Sequence, residues 1–386
     1  MGSSRTSQFG LAAETTPGLY VTPSSFIPIT SFDYAYEDGQ TSSEAIVTGL
    51  RGLQEWQSNG GNVAVSANLG FELTARGVGG LIAAAIGPNN VTTNGPTSNY
   101  YDHTIVTGSQ DGAAQTWQAG IADDAGTVQP ITLTGVKVKT LSLAWDEGSK
   151  VNGTAGAVAQ RVDQGTRTLT SCATTDESAT VTVTSATADM EGQTISGTGI
   201  PSGSYIVAVN SATEVVISQA ATANGTGLSL VVGRPLASAS YTTTNQHLFK
   251  AHHCTVSVAG SEVPMYGGSW QITKPIPDTE FLGSRWSAEQ KDTGELDDIS
   301  GTFDCEFNAA LYNRFRTGEK FTVIQSFVNG SDSLTLTSRA RITPGAEPKI
   351  DGRSRNRMSV SWMALGDTNG DLLTAVINTR DATLPV

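Results

Sequence analysis

Leu69-Gly70-Phe71-Glu72-Leu73 is the centre of the stretch that decides the fold, and a related stretch, Phe303-Asp304-Cys305-Glu306-Phe307, lies near the other end of the chain. In both, apolar residues alternate with polar or small ones, which predicts a strand with a buried face and a face that carries a carboxylate. Each stretch is followed by a helix-like run that ends near a glycine, Gly87 or Gly318. A strand–helix unit that occurs twice predicts a scaffold of two similar halves.

The pattern around the first copy extends in both directions. Every second residue from Val63 to Leu73 is apolar, which predicts a long strand, and the apolar run from Val78 to Ile86 predicts the helix. Further along, alternating apolar residues between Val136 and Trp145 predict a pair of strands interrupted near Thr140. These segments indicate a mainly β fold with a flanking helix.

The composition supports this fold class and limits the possible partners. The chain has 386 residues, of which 42 are glycine, and only 15% are charged, which is typical of a strand-rich protein with many turns. Lys and Arg number 23 against 36 Asp and Glu, so the formal net charge is −13. This balance argues against sequence-independent nucleic-acid binding, which needs positive charge against phosphates. Salt confines such fields to about 8 Å, so the charge that lines a surface matters more than the total.

Composition also changes along the chain and predicts its domains. Residues 1–30 are rich in Thr and Pro and predict an N-terminal arm, and the polar stretch Ser31–Gly61 predicts a long hairpin or loop. Residues 163–235 contain short strand patterns with turns between them, and no Lys or Arg occurs between Arg167 and Arg234. They predict an inserted, surface-exposed small β-sandwich. The main domain is then discontinuous and comprises residues 31–162 and 236–386.

The motifs that would carry chemistry are incomplete. His252-His253-Cys254 supplies too few ligands for a tetrahedral metal site, and Cys254 continues an apolar strand face. Asp367 to Asp371 has oxygens at the first positions of a calcium loop, but its glycine is misplaced, so a hairpin turn is the better interpretation. No Gly-x-Ser-x-Gly, Walker or Rossmann motif occurs, and nothing in the sequence favours a Ser–His–Asp arrangement of distant residues. We therefore expect no enzymatic activity, no cofactor and no metal.

The sequence predicts neither a secretory signal peptide nor a transmembrane helix. The first residues lack an apolar segment of the kind found in secretory signal peptides, and no stretch has the roughly 18 apolar residues of a transmembrane helix. Three widely spaced cysteines, Cys172, Cys254 and Cys305, imply no disulfide framework. We expect synthesis in a reducing cytoplasm and no membrane partner.

Glu72, Asp304 and Glu306 are the candidate functional residues, because they lie on the polar faces of the two related strands. Two interpretations are open. The simpler one is a face exposed to solvent, and the other is a face that lines a cavity and keeps it negative.

Several segments, taken in their order along the chain, resemble the major tail tube proteins of long-tailed bacteriophages. They are Glu14-Thr-Thr-Pro-Gly, Trp270-Gln-Ile-Thr, Gly283-Ser-Arg-Trp, Asp298-Ile-Ser-Gly-Thr-Phe-Asp-Cys-Glu-Phe-Asn, Leu311-Tyr-Asn-Arg-Phe and Gly345-Ala-Glu-Pro-Lys-Ile-Asp-Gly-Arg. Within the insertion, Gly192-Gln-Thr-Ile-Ser-Gly-Thr-Gly-Ile-Pro-Ser-Gly resembles an immunoglobulin-like or small β module of phage virion proteins. Together the resemblance covers most of residues 10–380.

The resemblance implies a tail-tube β-sandwich with a flanking helix and a role as a virion structural protein. Subunits of this family form hexameric rings that stack into a tube, whose negatively charged lumen first houses a tape measure protein and then conducts double-stranded DNA without specific binding. Its partners are the protein itself, the tape measure protein, and the tail terminator and distal tail or baseplate proteins. The tail would be assembled in the cytoplasm of the bacterial host and become part of the virion.

Two other classes of protein share this composition. One is a different phage structural protein, from the baseplate, the distal tail or the capsid decoration. The other is a secreted adhesin or carbohydrate-binding β-sandwich, which a signal peptide would favour and this N-terminus does not.

Overall fold

The computed structural model describes residues 7–39, 41–42, 58–59, 61–242, 244, 246–277, 296–345, 356–368 and 370–386. Most of the predicted loop within Ser31–Gly61, most of the polar segment Gly283–Asp298 and most of the motif that starts at Gly345 therefore lie outside the described residues. The described chain is mainly β-structured, its strands pair in antiparallel fashion, and it has two α-helices.

The elements divide into a first half, a middle module and a second half. The first half contains β1 Gln8–Ala13, β2 Ser25–Phe26, β3 Ile29–Asp38, β4 Thr41–Ser42, β5 Ser58–Asn59, β6 Val63–Glu72, α1 Gly79–Ile86, β7 Val91–Thr97, β8 Tyr100–Val106, β9 Gln115–Ala122, β10 Val128–Asp146, β11 Asn152–Ala159 and β12 Arg161–Gln164. The module contains β13 Thr166–Thr174, β14 Thr180–Thr182, β15 Ile195–Ser196, β16 Ile206–Ser211, β17 Glu214–Ile217 and β18 Gly225–Gly233. The second half contains β19 Cys254–Val258, β20 Ser261–Val263, β21 Met265–Thr273, β22 Asp298–Glu306, α2 Ala309–Thr317, β23 Phe321–Asn329, β24 Asp332–Ile342, β25 Arg357–Leu365 and β26 Thr374–Thr379.

The two strand–helix units have the local structure that their sequences predict. In β6, alternate residues from Val63 to Phe71 are at most 2% exposed, and α1 begins at Gly79. In the second copy, β22 leads into α2, where the side chain of Asn308 accepts hydrogen bonds from the backbone N–H groups of Ala310 and Leu311. Gly318 ends that helix in the left-handed conformation at φ 64°.

The environments of the two helices differ. Residues Gly80 to Ile86 of α1 are all buried, whereas Leu311 is the buried residue of α2. The first helix is apolar on all sides, and the second carries Arg314 and Arg316 in its last turn. A helix that is apolar all round is stable only inside the core, so sequence explains this difference.

The prediction of two strands between Val136 and Trp145 is wrong, because a single strand, β10, spans this region. Val128–Asp146 is a single strand of 19 residues, and its interruption is a register shift between Val138 and Thr140 in the pairing with β11. The bulge bends the strand without ending it. As a result the first part of β10 pairs with β9 and β12, and the second part pairs with β11 and β21.

The described part of the predicted N-terminal arm also needs correction. Strand β1 pairs with β9 along its whole length, and Phe9, Leu11 and Ile27 are fully buried. Residues 31–38 of the predicted loop likewise belong to β3, which pairs with β6. Burial of the apolar side chains in the first segment, and the pairing of β3 with β6 in the second, make both segments part of the body, by which we mean the first and second halves together.

One continuous sheet passes through both halves, and its strands follow the same order twice. The order is β3-β6-β11-β10 in the first half and β21-β22-β25-β24 in the second. In each set, which we call a four-strand unit, the helix follows the second strand. The antiparallel pairing of β10 with β21 joins the two units into one sheet.

The flanking strands repeat as well. Strand β1 pairs with β2 and β9, as β19 pairs with β20 and β23. Strand β12 follows β11 and pairs with the start of β10, as β26 follows β25 and pairs with the start of β24. The hairpin of β7 and β8 is present in the first half and has no counterpart between α2 and β23.

The middle module has a separate hydrophobic core. Its strands pair in the order β15-β18-β13-β14-β17-β16, around a buried cluster that includes Leu169, Val181 and Leu230. The ends of this order are also connected, because Ile195 N donates to Ser204 O and Ile206 N donates to Gln193 O, each at 3.0 Å. The module lies between the two halves in sequence. Its immunoglobulin-like character and the domain boundaries at residues 163 and 235 stay predictions.

Buried polar contacts attach the module to the body. The carboxylate of Asp163, which is 1% exposed, accepts hydrogen bonds from Thr194 N at 2.7 Å and from Thr194 Oγ1 at 2.6 Å. The guanidinium carbon of Arg161 lies 3.7 Å from the ring centroid of Tyr205. Asp163 and Arg161 belong to β12, and Thr194 and Tyr205 belong to the module. These contacts attach the module to strand β12 of the first half.

Asp163→Asn is expected to flatten the pH dependence of stability. Burial raises the pKa of the Asp163 carboxyl in the folded protein. The folded protein therefore keeps this proton to a higher pH than the unfolded chain, and the free energy of unfolding falls as the pH rises above about 4. The variant lacks this contribution. Urea unfolding at pH values between 4.5 and 7.5 measures the free energy of unfolding of the wild type and the variant. Asp176→Asn, a substitution at an exposed position, serves as the control. Parallel curves for the wild type and Asp163→Asn would contradict the assignment.

Candidate functional site

The polar face of the continuous sheet contains all three candidate residues. Because side chains alternate along each strand, the register places polar residues of neighbouring strands in rows across this face. One row contains Glu72, Asn152, Ala144, Ser269, Thr302 and Ser361. The next row contains Gly70, Thr154, Ser142, Gln271, Ser300 and Met363. Asp304 and Glu306 follow Thr302 at spacings of two residues and lie on the same face.

Hydroxyl and amide groups in the middle of this face bond to one another. The hydroxyl oxygens of Ser142 and Thr154 are 2.6 Å apart, and those of Ser269 and Thr302 are 2.8 Å apart. Gln271 Nε2 donates to Thr273 Oγ1 at 3.1 Å. These groups form hydrogen bonds with one another within the sheet, so the middle of the face is polar and uncharged.

The candidate carboxylates lie toward one end of the strands and differ in their partners. Glu72 forms an ion pair with Lys150. Glu306 accepts a hydrogen bond from the hydroxyl of Tyr266 at 2.9 Å, and the guanidinium of Arg357 lies over the Tyr266 ring at 3.9 Å. Glu72 and Glu306 occupy matching positions, because each is the last residue of the second strand of its unit.

Asp304 is exposed and lies in a row with a second carboxylate. Gly267 is the register partner of Asp304 on one side and of Asp146 on the other, so the two carboxylates flank a residue without a side chain. Asp146 and Asp304 thus lie in one row, about 10 Å apart across β21, while Glu72 lies on β6, four strands and about 19 Å from the strand of Asp304. Whether Glu72, Asp304 and Glu306 line a cavity stays a prediction.

Sequence reasoning missed other charged residues of this face. The additional carboxylates are Asp33, Glu37, Asp146 and Asp298, and the cations are Arg339, Arg341 and Arg357. Asp146 could have been found, because it continues the alternation of Thr140, Ser142 and Ala144. Exposed ion pairs contribute little stability, so these charges act mainly through the local field. Carboxylates outnumber cations on the described face.

Elsewhere among the described residues, metal-ligating side chains do not cluster and the cysteine thiols are buried. Among the described residues, no cluster of three or more His, Cys, Asp or Glu side chains could hold a metal ion. Burial raises the pKa of the Cys254 thiol, and burial raises that of Cys305 to about 11, so both stay protonated at neutral pH. The three cysteines are free and buried.

Comparison with known proteins yields no relationship. No protein-family model matches this chain, and a search of curated proteins returns no significant match. Neither helix in the described ranges combines the length and apolar character needed to cross a membrane.

Proposed function

We propose that this protein is the structural subunit of a bacteriophage tail tube. Its copies join edge to edge into hexameric rings, and the rings stack into a tube. The polar face of the continuous sheet lines the lumen, which first houses a tape measure protein and then conducts double-stranded DNA. The protein then functions in the virion, after assembly in the cytoplasm of the bacterial host.

The observation that carries this proposal is the repeated unit within one sheet. The two units are joined side by side through β10 and β21, and the same lateral step, repeated around an axis, would close the sheet into a ring. Closure also removes exposed strand edges, which otherwise promote aggregation. The opposite face of the sheet is buried in the core, so the polar face is the one available to a lumen.

The charge of the polar face suits passage of DNA. Its hydroxyl and amide groups already bond to one another, and the exposed Asp33, Asp146 and Asp304 repel phosphates. Binding that is independent of sequence depends on cations that neutralise phosphates, and this face has few. A duplex would therefore move along it without being held. The tail terminator and the distal tail or baseplate proteins would bind at the two ends of the stack.

Electron microscopy of the purified protein tests the proposal. We expect stacked rings or tubes, and a reconstruction should place the row of Asp146 and Asp304 toward the lumen. Assembly is expected to rise with protein concentration. A protein that stays monomeric at all concentrations, or rings with this face turned outward, would contradict the assignment. Specific binding of a glycan by the monomer would favour a carbohydrate-binding module instead.

A further inference from the structure

The module is connected to the body by two chain segments that meet at a pair of glycines. Gly165 follows β12 and Gly233 ends β18, and both have left-handed backbone, at φ 71° and 79°. Thr166 is the register partner of Gly233, so the two connections lie side by side. A connection of this kind is narrow, and glycine at both positions permits rotation about it. Other contacts are therefore needed to fix the orientation of the module.

Residues 14–20 form a turn that Glu14 attaches to the first half. The Glu14 carboxylate is buried and accepts hydrogen bonds from Gly18 N at 2.6 Å and from Thr116 Oγ1 at 2.8 Å. It also accepts one from Gly135 N at 2.9 Å. Thr116 belongs to β9 and Gly135 to β10. The turn is held firmly, because each of these donors would lose its partner in a buried place if the carboxylate moved away.

The same turn contacts the module. The guanidinium carbon of Arg234, which follows the last strand of the module, lies 4.7 Å from the ring centroid of Tyr20. A Cβ atom added to Gly203 of the module would lie 3.4 Å from Cδ1 of Leu19, which is van der Waals contact. Arg234 Nε also lies 3.9 Å from Asp163 Oδ2, and the Arg234 side chain is only 14% exposed. Residues 14–20 thus connect the first half to two places on the module.

Strand β12 contacts the module from another element. Its Asp163 accepts the two hydrogen bonds from Thr194, and its Arg161 lies over the Tyr205 ring. The Tyr205 side chain packs against the hydrophobic core of the body, although the residue belongs to the module. Contacts between a guanidinium group and an aromatic ring are stronger when both are withdrawn from water. The module is therefore held by two separate segments of the body.

We propose that residues 14–20 and β12 together form a fixed joint, which holds the module in one orientation relative to the sheet. The joint comprises the contacts that these two segments make with the module. It restrains the rotation that the two glycines would otherwise permit. Every copy then presents its module in the same way, and an assembly of copies would carry a regular array of modules. The joint lies within one chain, so it does not depend on the proposed tube.

Distances between two spin labels test the joint. Val207 of the module is 46% exposed and Asn313 of α2 is exposed, so Val207→Cys with Asn313→Cys places one label on each part. The native cysteines are buried, which directs labelling to the two new ones. Pulsed electron–electron double resonance on the purified full chain should give a single narrow distance distribution. A broad distribution in the otherwise unchanged protein would overturn the joint.

Removal of two aromatic rings should release the module. In the described part of the chain, four tyrosine rings lie under a guanidinium group, and those of Tyr20 and Tyr205 belong to the joint. In the labelled variant Tyr20→Ala with Tyr205→Ala, the distribution should widen about twofold or more, because a small interface no longer opposes rotation at the glycines. The matched control, Tyr100→Ala with Tyr266→Ala, removes the same groups elsewhere and should keep the distribution narrow.

The outcomes separate the joint from the tube. An unchanged distribution in the joint variant would overturn the joint, and so would equal widening in the control. If circular dichroism shows that the joint variant is unfolded, Thr194→Val, which removes the hydroxyl donor to Asp163, provides the same comparison. Narrow distances in a protein that never assembles would support the joint and overturn the proposed function. Tubes whose modules are smeared in a reconstruction would overturn the joint and leave the tube intact.

Discussion

Replacing Gly301 by alanine is expected to lower the free energy of unfolding by about 2–3 kcal/mol, because the added methyl group overpacks the core. A Cβ atom at this position would lie 2.6 Å from Cζ2 of Trp362 and 2.7 Å from the carbonyl oxygen of Ser269. Trp362 is 1% exposed and is the register partner of Gly301, so its ring occupies the space that Gly301 leaves. Urea unfolding followed by circular dichroism measures the loss.

A double-mutant cycle tests whether the ring of Trp362 causes the loss. Trp362→Ala alone should cost about 3–5 kcal/mol through the cavity it creates. In that background Gly301→Ala should cost much less, because the clashing ring is gone, although the contact with Ser269 remains. The coupling between the two substitutions measures their interaction. Strictly additive losses would show that Gly301 is required for a reason other than the ring.

The first unit offers a natural comparison for this pair. Counting from Glu72 and Glu306, the positions of Gly301 and Trp362 correspond to Ala67 and Ala157, which are register partners in the same way. Both alanines are buried, at 2% and 4% exposure. The first unit therefore fills these positions with two alanines, and the second unit fills the equivalent positions with a glycine and a tryptophan. Ala67→Gly, which changes a residue without such a ring opposite it, serves as the control and should cost only about 1 kcal/mol.

Reversing the charges of Asp146 and Asp304 should make assembled tubes bind DNA. Both residues are exposed and lie in one row of the polar face, on either side of Gly267. The variant Asp146→Lys with Asp304→Lys places cations where phosphates would pass. Each phosphate that a lysine neutralises steepens the dependence of log affinity on log salt by about 0.9. Wild-type tubes should show no such binding.

A matched charge change elsewhere serves as the control for DNA binding. Asp124→Lys with Asp176→Lys alters the net charge equally, and both positions are exposed outside the polar face. Fluorescence anisotropy of a labelled duplex at several salt concentrations compares the three proteins. If the control variant binds DNA as well as the face variant does, net charge decides the binding and the polar face does not line the path of DNA.

Much of the local structure follows from sequence alone. The alternation from Val63 to Leu73 places β6 and its buried face, because a strand with one face in a core needs an apolar residue at every second position. The helix after each strand follows from composition and from a terminal signal such as Asn308 at the start of α2. Glu72, Asp304 and Glu306 could be assigned to a polar face for the same reason of alternation.

The pairing of distant segments was beyond these local signals. The Thr- and Pro-rich composition of residues 1–30 predicts an arm, whereas β1 pairs with β9, a strand about a hundred residues away. The sequence near Thr140 predicts a break between two strands, whereas β10 continues through a bulge between Val138 and Thr140. Asp146 and Asp304 lie in one row on either side of Gly267. That alignment depends on the register of β10, β21 and β22, which backbone hydrogen bonds between the strands establish.

The sequence by itself determined the mainly β fold class, the repeated strand–helix unit and the polar character of one strand face. Each of these depends on residues close together in the chain, whose period and turn propensities are readable locally. Only the tertiary structure decided that both units belong to one sheet in the same strand order, and that β3 is at the edge of that sheet among the described strands. Those properties depend on backbone hydrogen bonds between distant segments, and almost any sequence that alternates in this way can form such bonds with several partners.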